Sequence, residues 1–169
     1  MIGFGFKKFL LFALCYALVF AVAAQDCNVN RETDLFTKET RLSSGFIDLS
    51  GASVTIDADK KELDILFSFK TNRCFDDGCT ATIYFAGTKS KLLLRNAGTM
   101  NCEGLYHFIF RNAATVNYQL KKIATAKVSH IVFTDRDQKL VPVNLDEQMQ
   151  LKFMQAVDCV TKEAVKLLQ

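Results

Sequence analysis

The chain has 169 residues, a formal net charge of +3, 50% hydrophobic residues and 23% charged residues. That length supports one domain with a real core. With no long lysine or arginine stripe, the charge gives no electrostatic reason to seek nucleic acid.

Lys7 and Lys8 precede an apolar run from Phe9 to Val22, which closes in Ala21-Val22-Ala23-Ala24. A positive stretch, an apolar centre and small residues at −3 and −1 form the layout of a secretory signal peptide over residues 1–24. Cleavage is expected after Ala23 or Ala24, leaving residues 25–169 as a single secreted or periplasmic domain. Loss of Lys7 and Lys8 lowers the formal charge from +3 to +1. No later apolar stretch approaches the roughly 18 residues of a membrane span. Residues 23–26 lack the small residue that a lipobox sets directly before its cysteine. No Asn-X-Ser/Thr sequon follows the leader, which fits a bacterial product.

The rest of the chain alternates like a β protein until its last quarter. Asn28–Glu32 and Glu39–Leu49 are expected as two strands around the turn Asp34-Leu35-Phe36-Thr37-Lys38. Ser53–Ala58 follows, then the turn Asp59-Lys60-Lys61. Leu63, Ile65, Phe67 and Phe69 keep strict period two, the clearest strand signal present. Asp76-Asp77-Gly78 marks a turn within the polar segment Thr71–Gly78. Strands are then expected at Thr80–Ala86, Lys91–Arg95 and Leu105–Arg111, with the loop Asn96–Gly104 before the last. Both faces of Leu105–Arg111 are apolar, which predicts a strand central in its sheet.

Val116, Leu120, Ile123 and Ala124 recur at helical spacing, so Lys121-Lys122 falls on the solvated face of a short helix. A hairpin from Val128–Thr134 to Lys139–Val143 turns at Asp135-Arg136-Asp137, and Pro142 assigns its second strand to an edge. Asn144 and Glu147 form a capping-box pair opening a helix over about 145–168. Met149, Phe153, Val157, Val160 and Ala164 share one face of it, while Lys152, Asp158, Lys162 and Lys166 lie off that face. The stripe predicts packing on a sheet. The whole reads as mainly β or α+β, an antiparallel sheet or β-sandwich-like domain with one short helix and a C-terminal amphipathic helix packed on it.

Five cysteines follow the leader: Cys27, Cys74, Cys79, Cys102 and Cys159. In an oxidising compartment they predict one or two disulfides and at least one leftover thiol. Cys74 is expected to be bridged, either to Cys79 across a tight turn or to Cys102 in the other loop. In the second case Cys27 and Cys159 pair the first strand to the last helix, or stay free. The Cys74–Cys79 spacing is not the Cys-X-X-Cys of a redox motif.

His107 and His130 stand inside expected strands, far in sequence from any cysteine pair, so no zinc site is indicated. Asp57, Asp59 and Glu62, Asp76-Asp77, and Asp135 with Asp137 lack the spacing of a calcium loop and are expected as solvated turn carboxylates. No nucleophile elbow or phosphate-binding loop is present. No catalytic, cofactor-binding or metal-binding residue is therefore assigned, and no cofactor is expected. The chemistry weighed against this is a small hydrolase or redox protein using Cys102 with His107, or Cys74 with Cys79. Tyr84, Phe85, Tyr106, Phe108 and Phe110 are expected mostly in the core.

Asp34-Leu35-Phe36-Thr37, Phe85-Ala86-Gly87-Thr88 and Tyr118-Gln119-Leu120-Lys121-Lys122-Ile123, running on to Lys127–Thr134, carry a resemblance. They are similar to segments of small exported proteins of Bacteroidota-type bacteria with no assigned activity. The resemblance implies export and an antiparallel sheet with helices, and it supplies no catalytic residues. The expectation is an exported, non-enzymatic domain that binds a protein or envelope ligand. Its expected working surface is the loop pair Thr71–Gly78 and Asn96–Gly104.

Overall fold

The computed structural model describes residues 27–169, so the expected signal peptide lies outside the described residues. The chain forms β1 (Asn30–Thr33), β2 (Thr40–Ser43), β3 (Ile47–Leu49), β4 (Ala52–Ala58), β5 (Glu62–Phe69), β6 (Thr80–Phe85), β7 (Lys91–Arg95) and β8 (Leu105–Arg111). Helix α1 (Tyr118–Thr125), β9 (Val128–Thr134), β10 (Leu140–Asn144) and helix α2 (Glu147–Lys166) complete it. Six strands make sheet 1, in the order β1-β2-β4-β5-β8 with β3 also on β4. Four make sheet 2, in the order β10-β9-β6-β7. Every pairing is antiparallel, and α2 packs against β2, β3, β4 and β9 as well as α1.

Period-two patterning puts Leu63, Ile65, Phe67 and Phe69 on the inner face of β5, all buried. Phe67 ties the layers together. Its ring lies 5.1 Å from Phe133 of β9, 5.6 Å from Phe108 of β8 and 6.1 Å from Phe153 of α2. Buried aromatic pairs at these separations add edge-to-face attraction to the area they remove from water. Tyr106 belongs to the same cluster, and its hydroxyl donates to the Cys79 carbonyl at 3.2 Å. Burial raises its phenol well above the usual range.

The strand expected over Glu39–Leu49 is broken in two. Gly45, at φ +68°, turns the chain out of the ladder between β2 and β3. The Ser44 hydroxyl takes the place of a lost ladder partner by accepting from the Ile56 N–H at 2.9 Å. Between the pairs Ser43–Asp57 and Ile47–Val54, residues 44–46 oppose only residues 55 and 56 of β4, so the bulge lies on the β2–β3 side, where a left-handed glycine is suited.

Helix α2 is capped by Asp146, whose carboxylate accepts from the Met149 N–H at 2.8 Å. The expected cap, Asn144, is instead the last residue of β10, paired with His130. Leu145 extends this pairing by donating its N–H to the Ser129 carbonyl. The ladder therefore outlasts the capping-box signature, and the helix starts two residues late. Pro142 does lie on an edge strand.

Leu105–Arg111 is an edge strand as well, which corrects its expected central place. Its inner residues Tyr106, Phe108 and Phe110 are buried, whereas Ile109 on the other face is exposed.

Candidate functional site

The two cysteine-bearing loops are brought together. Cys74 is bonded to Cys102, and Phe75 and Asn101 exchange main-chain hydrogen bonds of 2.8 and 2.9 Å beside that bridge. Gly104, at φ +77°, closes the approach: a Cβ there would lie 2.9 Å from the Thr71 carbonyl oxygen. Cys27 is bonded to Cys159, tying the lead into β1 to the middle of α2.

Cys79 keeps a free, buried thiol. Its Sγ lies 3.3 Å from both the Asp76 carboxylate and the Asp76 N–H. Burial raises its pKa, keeping it protonated and weakly nucleophilic. With Cys74 and Cys102 joined in a disulfide and Cys79 protonated, none of the three sulfurs weighed for thiol chemistry is presented as a thiolate.

His107 Nδ1 is 2.7 Å from Asp64 Oδ2 on the outer face of sheet 1. That hydrogen bond raises the imidazole pKa, desolvation opposes it, and the Asp64 charge adds to the increase. The other Asp64 oxygen is buried without a hydrogen-bond partner. His130 stacks on Tyr84 with ring centres 4.3 Å apart.

The turn carboxylates stay separate. Asp59 accepts from the Lys61 and Glu62 N–H groups, and Asp76 accepts from that of Gly78. Asp135 departs from the expectation of a solvated side chain: it is buried, 3.0 Å from Arg73 Nη1, and also accepts from the Lys139 N–H. Lys122 is likewise engaged, reaching Ser90 Oγ and lying 4.9 Å from the Phe85 ring centre. Among the described residues no group of three His, Cys, Asp or Glu side chains could hold a metal ion.

The feature that sequence reasoning missed is the seam between the sheets. Beyond β7 the chain folds across to β8. There the Ala97 N–H donates to the His107 carbonyl at 3.0 Å, and Asn96 Oδ1 accepts from the His107 N–H at 2.8 Å. Continued in antiparallel register, this pairing would place Arg95 opposite Ile109 and Leu93 opposite Arg111.

The strands part instead. Among the described residues no hydrogen bond reaches the main chain of Leu93, Arg95, Ile109 or Arg111 from across the seam. The Asn96 N–H donates to Cys79 and the Asn112 N–H to Lys61, so strand alternation turns those four main-chain groups outward. Leu105, earlier on the same edge, has both its main-chain groups met by the Asn101 side chain at 3.0 and 2.9 Å. The protected stretch ends at His107.

Past it lies an open groove of about 320 Å³, walled by Leu93 to Arg95 and Phe108 to Arg111 and ending at Asn117 and Gln119 by α1. Leu93 is 63% exposed on its rim. The loop Asn96–Gly104 holds the closed end of this groove, and Cys102 staples that loop to Thr71–Gly78.

No known protein family, curated protein or solved structure matches the chain. No described helix is long and apolar enough to cross a membrane.

Proposed function

We propose that the chain is an exported, non-enzymatic binding domain that takes an extended segment of a partner protein into the β7–β8 seam. The observation that carries this is the pair of unpaired strand edges facing one groove, with Leu93, Arg95, Ile109 and Arg111 offering main-chain donors and acceptors. An added strand gains affinity from such groups, and alternate side-chain sites give it specificity.

The inner side of the groove is apolar at Leu94, Phe108 and Phe110, and its outer rim holds Arg95 and Arg111. The matching segment alternates apolar residues facing inward with acidic ones facing out. Export is supported by the lysine–apolar–alanine leader and by two disulfides, bonds that persist in oxidising compartments.

The test is selection from a random peptide display library on the immobilised mature protein, repeated on Leu93→Pro and Ile109→Pro. Each proline deletes an outward N–H and spares the existing ladder, as Pro142 does on β10. Enriched peptides of alternating pattern that lose roughly tenfold in affinity on both variants support the seam. Peptides that bind all three proteins alike, or no enrichment at all, overturn it.

A further inference from the structure

Lysines gather where the seam opens. Between Gly78 and Thr134 the chain holds seven lysines and arginines against one acid, Glu103. Glu103 lies in the stapled loop at the closed end, so the cations at the open end have no carboxylate on their own elements.

β7 runs from Lys91 at the open end toward Asn96 at the closed one, and Lys91 is exposed on the same side of the strand as Leu93. Lys89, in the turn just before it, is exposed as well. Asn117 and Gln119 form the end of the groove, and Lys121 and Lys122 follow them one helical turn on. Lys122 ties α1 to the β6–β7 turn, its Nζ reaching Ser90 Oγ and lying 4.9 Å from the Phe85 ring centre. Both partners are uncharged.

Among the described residues Lys89, Lys91 and Lys121 form no ion pair. The acids of neighbouring elements are engaged or placed elsewhere. Asp158 and Glu163 of α2 pair with Lys162 and Lys166, and Glu62 stands opposite Arg111 in the β5–β8 ladder. Asp146 and Glu147 follow β10, which lies on the side of β9 away from β6 and β7, and Asp146 caps α2. The β9–β10 register brings those two acids toward Lys127, which is left out of the cluster for that reason.

A strand lying in the seam cannot run on past the closed end, where Asn96 and Ala97 bond to His107. It can leave only at the α1 end, across these lysines. We infer, on the strength of the proposed seam, that the partner segment carries a run of aspartate and glutamate on the side that leaves there, held by Lys89, Lys91, Lys121 and Lys122. Charge at the rim of an interface acts on encounter rate and on the choice of partner. Because the closed end is blocked and bears Glu103, the acidic run belongs to one side of the segment only. A single exit with uncompensated positive charge beside it selects an acidic polypeptide, continuous with the strand in the seam.

The test sets the mature protein against a random-peptide display library in three formats: bare, preceded by Glu-Asp-Glu-Asp, and followed by it. Exposed ion pairs each add little, so the cluster as a whole is expected to raise the affinity of enriched peptides by roughly tenfold, in one acidic format only. The gain is expected to vanish on Lys89→Gln/Lys91→Gln/Lys121→Gln and to fade by about 0.5 M salt, while bare peptides bind parent and variant alike. All three side chains are exposed, and an unchanged thermal midpoint confirms that the variant folds. Acidic runs that add nothing to peptides still weakened by Leu93→Pro overturn this assignment and leave the seam standing. Acid-tailed peptides that bind the parent and Leu93→Pro alike overturn both, as does a lack of enrichment in every format. Lysine-dependent flotation with phosphatidylglycerol vesicles, with no gain from acidic runs, assigns the cluster to a lipid surface and overturns the inference.

Discussion

Asn96 and His107 form the clasp at which the two sheets meet. The Asn96 carboxamide accepts from the main-chain N–H groups of His107 and Gly98 and donates to the Asp76 carbonyl at 3.0 Å. It is a buried polar side chain at 2% exposure whose partners lie on β8, on its own loop and on the stapled loop beyond β5. Below this clasp the seam is closed, and above it the strands separate.

Asn96→Ala leaves three buried or half-buried main-chain groups without partners. Net losses for such bonds, with the penalty of stranded donors, put the expected destabilisation at about 2–3 kcal/mol. Chemical denaturation should show this, and amide exchange at His107 and Gly98 should speed up more than in the β4–β5 ladder. A variant as stable as the parent would mean that the disulfide alone holds the seam's closed end.

His107 makes stability depend on pH in a defined direction. Its pKa is raised in the fold, chiefly by the hydrogen bond to Asp64. The stabilisation is then fully present below the unfolded value of about 6.5 and is lost as pH rises through the folded value. The difference in urea stability between the parent and His107→Gln should be largest near about pH 5.5 and shrink by about pH 8.5. A difference that is flat, or that grows with pH, would show that the Asp64 contact does not bind a proton in the fold.

The parts of the fold legible in the sequence are those written by near neighbours. Leu63, Ile65, Phe67 and Phe69 declare an inner face by alternation alone, and Pro142 declares an edge because it lacks a donor. Asn144 resembles a cap because its spacing to Glu147 is local, but its main chain is claimed by His130, 14 residues earlier. Asp135 resembles a solvated turn residue, but Arg73 reaches it from the loop beyond β5.

The seam is hidden for the same reason. Leu105–Arg111 is apolar on both faces, which suits a central strand or an edge strand flanking a groove. Only the position of β7 separates the two. A faint sign lies in Asn96 and Asn101, amides well suited to cap a strand edge, ahead of a strand at Leu105. Cysteine pairing likewise depends on which loops meet, and spacing could not choose between Cys79 and Cys102 for Cys74.

The two disulfides are expected to differ in worth. Cys27–Cys159 closes 132 residues and Cys74–Cys102 closes 28. Restriction of the unfolded chain predicts about 5 kcal/mol for the first and about 3.5 kcal/mol for the second. Paired alanine variants measured by denaturant titration should keep that order. Peptide mapping of the parent should return the same two bridges, with Cys79 labelled by a thiol reagent only after unfolding. Labelling of Cys79 in the native state would show that the loop Thr71–Gly78 opens.

Gly104 and Gly87 separate conformational strain from collision. Both take positive φ, +77° and +70°. A Cβ at Gly87 meets nothing within 4 Å, whereas at Gly104 it would lie 2.9 Å from the Thr71 carbonyl and 3.0 Å from that of Phe69. Gly87→Ala should therefore show only the left-handed penalty, about 1–2 kcal/mol. Gly104→Ala must also push apart the main chains that Cys74–Cys102 holds together, so its loss should exceed that of Gly87→Ala by at least about 1 kcal/mol. Amide exchange should also quicken at Phe69, whose N–H donates to the Gly104 carbonyl at 2.9 Å. Equal losses at the two glycines would mean that the stapled loops yield without cost and do not fix the closed end of the seam.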